Sequence, residues 1–269
     1  MIRVGVIGAC GRMGRIVCAA VADQDDMALV AAIDRSFVGE PVGKLVGRPE
    51  LDLVVSDRLD SLPASGVEVA VDFTHRDVVR DTVRWAVSHA LHIVVGTSGL
   101  LPDDLEPIAK QLAAEGSESN VIVAPNFAIG AVLMERFAAT AARYLSAVEV
   151  IELHHEGKAD APSGTAISTA RRIAAAREDA VPEISTAETV AGSRGGEVEG
   201  VRVHSVRLPG LVAHQEVILG GVGETLTIRH DSTDRSSFTP GVLLAIREVR
   251  TRPGLTVGLE SLLGFPEGE

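Results

Sequence analysis

The sequence predicts an α/β protein, a doubly wound parallel sheet followed by a second α+β domain. Three observations carry that expectation. Short apolar runs alternate with helix-period segments through residues 1–126, a glycine-rich turn follows the first run, and beyond "APNFAIG" the alternation gives way to closely spaced strand-like runs.

The first run, "MIRVGVIGA", has strand length and ends in glycine, and "GRMGRIVCAAVAD" then places Met13, Val17, Ala20 and Val21 at helical spacing. "MALVAAID" reads as a second strand closing on Asp34. The cycle continues with "VEVAVDFT" as a strand, Val78 to Ala90 as a helix, "HIVVGT" as a strand, Pro102 to Glu115 as a helix and "NVIVAPN" as a strand. Parallel strands joined by right-handed helical crossovers follow from this alternation. Residues 36–66 fit it poorly. Past Asn126 the pattern predicts a long helix from about Ala128 to Tyr144, the strand "VEVIELHH" and a helix from Gly164 to Arg177. Three runs, "VRVHSVRL", "HQEVILG" and "ETLTIRHD", lie close enough to suggest antiparallel pairing, and "AGSRGGEVEG" reads as a mobile surface loop. The boundary is therefore placed near Asn126. Residues 1–126 are expected to form the first domain and 127–236 the second, and the chain end, 237–269, to contribute a helix from Phe238 to Arg250 that packs back on the first.

A formal charge of -12 and a pI near 5.1 argue against nucleic acid or an anionic membrane as partner, because the long-range field repels phosphate. An anionic ligand then needs a local positive pocket. Two cysteines, Cys10 and Cys18, are too few for a secreted disulfide framework. With no leader pattern and no long apolar run, the expectation is a cytoplasmic protein.

"GACGRMG", Gly8 to Gly14, sits where a dinucleotide turn belongs, with the spacing G-x-x-G-x-x-G rather than G-x-G-x-x-G. Glycines there allow a tight turn and close backbone approach, and the helix N-terminus offers N–H groups to a pyrophosphate. A plain βα turn uses the same glycines, so Asp34 matters more. It lies 20 positions after Gly14 at the end of the second strand, where a carboxylate accepts from a ribose hydroxyl. Together these features predict nicotinamide dinucleotide binding. Loops after later strands should line the same crevice: Phe73 and Thr74, then "GTSG" with Gly96, Thr97 and Ser98, then "APNF" from Ala124 to Phe127. Asp34 favours NADH, whereas Arg35 and Arg12 are placed to reach a 2′-phosphate. Dual use of NADH and NADPH is expected, with NADH modestly ahead.

The densest chemistry lies in "ELHHEGKADAPSGTA", Glu152 to Ala166. Lysine and histidines beside a helix start make a positive pocket in an acidic chain. Ser163 or Thr165 can cap that helix, backbone N–H groups around Gly164 and Thr165 suit a carboxylate, Lys158 adds a full charge, and a histidine can give a proton. The bland readings are that adjacent histidines on a strand face opposite ways, so one is ordinary, and that Pro-Ser-Gly-Thr is a common helix start. Zinc is disfavoured, since no cysteine cluster or HExxH helix accompanies the histidines, and no metal is expected.

"HHEGKADAPSGTA", joined in order by "GRMG", "DFT", "VVGT" and "APNF", resembles the signature set of the 4-hydroxy-tetrahydrodipicolinate reductase family, also called dihydrodipicolinate reductase, of the diaminopimelate route to lysine. The likeness spans nearly the whole chain. It implies a Rossmann-like doubly wound parallel sheet to which the chain end returns, and a second α+β domain built on an open mixed sheet that assembles a homotetramer. It also implies reduction of a small cyclic dicarboxylate to tetrahydrodipicolinate with loss of water, using NADH or NADPH. On this resemblance His154 is the acid that protonates the reduced intermediate, and Lys158 binds substrate and stabilises developing charge. His155, Gly164 and Thr165 hold the carboxylates, with Ser163 beside them. The cofactor contacts are Gly8, Ala9, Cys10, Gly11, Arg12, Met13, Asp34, Arg35, Phe73, Gly96, Thr97, Ser98, Ala124, Pro125, Asn126 and Phe127. Some similar relatives carry lysine where this chain has Cys10, which weakens the claim to tight 2′-phosphate binding. The rival readings are a dehydrogenase of another amino-acid-derived acid and a nicotinamide-nucleotide sensor, which would have no need of His154 and Lys158.

Overall fold

A computed structural model describes residues 1–97, 100, 102–114, 118–177 and 186–265. The described residues fall into two compact units, Met1–Phe127 with residues 238–265, and Ala128–Ser237.

In the first unit the chain runs β1 (Ile2–Ile7), α1 (Arg12–Ala22), β2 (Met27–Ile33), α2 (Val42–Val46), β3 (Val55–Ser56), α3 (Ser61–Ala64), β4 (Val69–Asp72), α4 (Arg76–Ser88), β5 (His92–Val95), α5 (Pro102–Leu112) and β6 (Asn120–Val123). After the second unit, α8 (Thr239–Glu248) and β12 (Gly254–Val257) complete it. All its strand pairs are parallel, in the order β12-β6-β5-β4-β1-β2-β3. Strand order reverses between β1 and β4, which makes the carboxyl ends of those strands the place for a ligand. The central strands read as unbroken apolar runs because both of their faces are covered: every residue of β4 is buried. Ile93, Val121, Val83 and Leu62 anchor the core on one side, each aliphatic side chain contributing about 1.5–3 kcal/mol by leaving water.

Two features here escape the sequence pattern. Residues 36–66 hold two short helices and the two-residue edge strand β3, which pairs with β2 through Ala32↔Val55 and Ile33↔Ser56. The chain end adds a strand as well as the expected helix, with β12 lying parallel to β6 from Gly254↔Asn120 to Val257↔Val123.

The second unit comprises α6 (Ile129–Ala142), β7 (Ala147–His154), α7 (Gly164–Ala175), β8 (Gly196–Val198), β9 (Val201–Arg207), β10 (Ala213–Gly221) and β11 (Glu224–Ser232). Its sheet has the order β11-β10-β7-β9-β8. The antiparallel expectation holds for β10 with β11 but not for β9, which pairs parallel to β7. The physical reason is α7, which supplies the crossover a parallel pair requires. "AGSRGGEVEG", expected as a surface loop, is largely exposed but not loop throughout. It contains β8, which pairs with β9, and Arg194 bonds to Glu149 on β7. Along β7 the even-numbered positions face the helices: Val148 and Val150 join a core with Val203, Val217, Ala166 and Ile173. The opposite face presents half-buried Ile151, Leu153, Val206 and Ile218 among charged neighbours.

Candidate functional site

The first unit builds a cradle from backbone. Gly8 follows β1 at φ +78°, and a Cβ there would lie 2.4 Å from the Phe73 carbonyl oxygen. A Cβ on Gly14 would lie 2.0 Å from the Gly8 oxygen, so the turn folds against the first turn of α1 only because both positions are glycine. Gly11 is the N-cap, no side chain caps the helix, and its first turn carries no acidic residue. An anion therefore meets an unopposed helix N-terminus.

Asp34 closes this cradle. Its Oδ2 accepts from Cys10 N at 2.9 Å and its Oδ1 from Ser36 N at 2.9 Å, so the carboxylate ties the glycine turn to the segment after β2. It also lines a cavity of about 540 Å³ together with Gly8, Gly11, Arg35 and Phe73. The expected Thr74 lines it too, as do Asp57, Leu59, His75, Val78 and Thr82, and sequence reasoning missed the last five. Asp57 directly follows β3, so the rule that ligands sit at strand carboxyl ends finds it once β3 is recognised. Arg12 and Arg35 are exposed and make no ion pair among the described residues.

Asp72, buried at the end of β4, gathers the next two loops. Its Oδ1 accepts from Thr74 N at 2.9 Å, Thr74 Oγ1 at 2.8 Å and Thr97 Oγ1 at 2.6 Å. Burial raises its pKa, and the hydrogen bonds from Thr97 and Thr74 only partly oppose this. Gly96 N donates to the Asp72 carbonyl at 2.9 Å. A Cβ on Gly96 would strike the Phe73 ring at 2.2 Å, and that ring lies 5.9 Å from the ring of Phe127. Phe73, Gly96, Thr97 and Phe127 thus come together. Ala124 is buried beside them, its N–H donating to Val95 O at 3.1 Å. Ala9 is buried, Met13 and Asn126 are half-buried and Pro125 is exposed; none of the four lines the cavity, nor do Cys10 and Arg12. Ser98 lies outside the described residues.

The second unit carries the charged loop. His154 ends β7 on the same face as Val150 and Glu152, because side chains two apart share a face. His155 leaves the strand, and its carbonyl accepts from Lys158 N at 3.2 Å, closing a turn. Lys158 Nζ contacts both oxygens of Asp160, at 2.7 and 3.0 Å. Ser163, rather than Thr165, caps α7: its Oγ accepts from Ala166 N at 3.2 Å. That hydroxyl is buried and committed to the cap. Over Gly164 there is open space, since a Cβ there would meet nothing within 4 Å.

Behind this loop sits a group that sequence reasoning did not single out. Glu152 is 0% exposed and accepts from Arg207 Nη2 at 2.8 Å and Nη1 at 2.9 Å, from His154 Nδ1, and from Ser163 N at 3.3 Å. Burial pushes its carboxyl up, but hydrogen bonds from Arg207, Ser205 and His154 outweigh that and hold it below the usual glutamate range. Burial lowers the pKa of His154, against the raising influence of Glu152. The available signal was a carboxylate two positions before His154 on the apolar face of a strand, where a charge survives only with partners. Among the described residues no group of three His, Cys, Asp or Glu is placed to hold a metal ion.

Comparison with known proteins gives the family. Residues 2–127 match the family profile described as dihydrodipicolinate reductase, N-terminus, and residues 130–263 match dihydrodipicolinate reductase, C-terminus. A 4-hydroxy-tetrahydrodipicolinate reductase of Nocardia farcinica is 53% identical over 266 residues, covering 97% of this chain and 98% of the relative. One of Cutibacterium acnes is 52% identical over 269 residues, covering 98% and 100%. Among solved structures, dipicolinate-bound dihydrodipicolinate reductase from Paenisporosarcina sp. TG-14 superposes with a TM-score of 0.85 at 39% identity, covering 97% of this chain and 99% of that one. An amine dehydrogenase from Mycobacterium smegmatis, with a TM-score of 0.64 at 17% identity over 95% of this chain and 94% of that one, shares the fold. With both halves matched and relatives aligned end to end, the chain belongs to the dihydrodipicolinate reductase family.

Proposed function

We propose that this protein reduces 4-hydroxy-tetrahydrodipicolinate to tetrahydrodipicolinate, with loss of water and oxidation of NAD(P)H, in the diaminopimelate route to lysine. The observation that supports the reading is the loop from His154 to Thr165, a single short segment that carries an ammonium, an imidazole and a helix N-terminus in an acidic protein. A planar dicarboxylate is the ligand that such a loop suits. Lys158 and the first turn of α7 at Gly164 and Thr165 take its carboxylates, with His155 beside them. Bound dihydronicotinamide supplies the hydride. The electron pair this leaves on the reduced ring takes a proton from His154, and Lys158 steadies the negative charge as it develops. Water leaves from the 4-hydroxyl position, so the sum is one hydride and one proton added and one water lost.

The first unit is the dinucleotide-binding domain in this reading. Gly8 to Met13 would hold the pyrophosphate, Asp34 the adenosine ribose, and Phe73, Gly96, Thr97 and the Ala124 to Phe127 loop the nicotinamide end, with Ser98 a further candidate outside the described residues. Exposed Arg12 and Arg35 admit the 2′-phosphate of NADPH, while Asp34 favours NADH, which keeps NADH modestly ahead. The second unit binds substrate and assembles a homotetramer through the sheet face bearing Ile151, Leu153 and Ile218, apolar surface that gains by being covered. Among the described residues no helix is long and apolar enough to cross a membrane, and the cytoplasm is the compartment proposed.

The test couples purified protein to the preceding synthase and follows NAD(P)H absorbance. Oxidation is expected only when pyruvate, aspartate semialdehyde and the synthase are all present. Cofactor binding with no turnover in that mixture would favour a sensor. His154→Ala should lower kcat by about 10²-fold or more, and Lys158→Met should damage both KM and kcat. Sedimentation at micromolar concentration tests the tetramer, and a monomer there overturns it.

A further inference from the structure

We infer that Glu152, clamped by Arg207, is a positioning residue that fixes the tautomer of His154 and so determines which ring nitrogen delivers the proton. The inference rests on the reading of His154 as the acid.

Glu152, His154 and Arg207 come together through strand register alone. His154 lies directly opposite Arg207 across the β7–β9 pair, and Glu152 lies opposite Ser205. All three side chains share the helix-covered face, where the apolar pattern of Val148 and Val150 would otherwise continue. A carboxylate in that position, fully buried, costs several kcal/mol unless it is paired and hydrogen-bonded, and replacing such a pair by packed apolar residues is often neutral or stabilising. Stability alone therefore gives little reason for the arrangement.

The contacts indicate another use. The carboxylate divides its oxygens between the two ends of the loop: Oε2 receives His154 Nδ1, and Oε1 receives Ser163 N, the N-cap of α7. Arg207 bonds to both oxygens and also donates to the Asp160 carbonyl at 2.6 Å. An ionised carboxylate only accepts, so Nδ1 must carry a proton. In the neutral ring Nε2 is then the basic nitrogen, and in the charged ring it is the atom free to donate. The charged groups facing the imidazole are Glu152 on β7, Arg207 on β9 and Lys158 from the loop. Glu152 favours the imidazolium, and the two cations oppose it. Arg207 thus keeps Glu152 ionised, while burial above all, with Lys158 and Arg207 adding to it, keeps Glu152 from holding His154 permanently charged, as a proton donor that must be reloaded each turnover requires.

Glu152→Gln is isosteric. Its amide oxygen can still accept from Arg207 and Ser163, while its NH₂ faces Nδ1 and selects the opposite tautomer. In the coupled assay kcat should fall about 10- to 100-fold with KM for the dicarboxylate within about threefold of wild type. The basic limb of the kcat–pH profile should move to lower pH, because the group favouring protonated His154 has been removed. A wild-type kcat and profile, or parallel losses in kcat and KM, would overturn the inference. A direct measurement on the unaltered protein stands beside it. Long-range 1H–15N correlation of histidine-labelled wild type, with His154 assigned by its disappearance in His154→Ala, should show neutral His154 protonated at Nδ1. Protonation at Nε2 overturns the inference whether or not the glutamine variant folds. A wild-type kcat in His154→Ala removes the underlying reading, whereas a defective His154→Ala beside an indifferent Glu152→Gln removes only the role given to Glu152.

Discussion

Asp160→Asn distinguishes competition from support at the Lys158 ammonium. Lys158 reaches both Asp160 oxygens, at 2.7 and 3.0 Å, and its hydrogen bond is the main reason Asp160 titrates below the usual aspartate range. The aspartate is therefore ionised throughout any practical assay. With the lysine 22% and the aspartate 58% exposed, water screens the pair, and its worth is about 0.2–1 kcal/mol rather than that of a buried pair. A dicarboxylate reaching Lys158 must displace Asp160 or share the ammonium with it, and the two anions repel each other. Asparagine keeps the shape and removes the charge. If competition governs, the gain approaches the pair energy, and 1 kcal/mol corresponds to about fivefold in Kd. Calorimetry with dipicolinate in the presence of NADH should then show binding about two- to fivefold tighter in Asp160→Asn, and the gain should shrink in about 0.5 M KCl as the charges are screened. Adding Lys158→Met should abolish the difference, since the cycle removes the shared partner. Weaker dipicolinate binding in Asp160→Asn would show that the aspartate holds Lys158 in its working position, and the competition argument would be wrong.

Three further outcomes are expected. Gly14→Ala places a methyl 2.0 Å from the Gly8 oxygen and 2.8 Å from the Ala9 Cα. It should lower stability by about 1–3 kcal/mol and raise KM for NADH at least about tenfold, checked by thermal melts and initial rates. Arg35→Ala should weaken NADPH by roughly 10- to 150-fold with little effect on NADH. Asp34→Ala should harm NADH more, yet weaken both cofactors because Cys10 N and Ser36 N lose their acceptor; kcat/KM for each cofactor decides this. Because burial raises the pKa of Asp72, the folded state binds its proton more tightly than the unfolded state does, and the associated stability is lost as pH rises through the folded value. Asp72→Asn lacks that proton. Its stability relative to wild type should therefore be best at neutral pH and decline as pH falls toward about 4, measured by urea unfolding across pH.

The parallel sheet was legible because its inner strands are buried on both faces and therefore appear as apolar runs, "VAVD" and "NVIV" being examples. Residues 36–66 were illegible for the complementary reason. A five-residue helix, a two-residue strand and a four-residue helix are each too short for a period of 3.6 or 2 to repeat even twice. β12 was missed because four residues behind Pro253 give no alternation to read, and the parallel pairing of β9 because proximity in sequence is no guide once a crossover helix intervenes. In the charged loop the sequence left the cap open between Ser163 and Thr165, and the structure assigns it to Ser163. Glu152 and Arg207 stayed hidden because they are 55 residues apart and meet only through strand register. Periodicity reports which face a residue occupies and says nothing of what lies across from it.

The return of the chain to the first sheet bears on how this protein is made. β6 has β12 as its outer neighbour, so Asn120 waits for Gly254. Gly241 in α8 lies so close to the Phe127 carbonyl that a Cβ there would stand 2.1 Å from its oxygen, and Arg247 pairs with Asp26 at 2.7 Å. A nascent chain that has released residues 1–127 thus has six of seven strands and an unpaired edge at β6. Such an edge is open to mispairing until the second unit has been synthesised. The second unit, whose strands and helices all lie between Ala128 and Ser237, completes its own sheet first. Synthesis therefore completes the first sheet last, and a ribosome stalled before Gly254 leaves the first-translated half of the molecule unfinished.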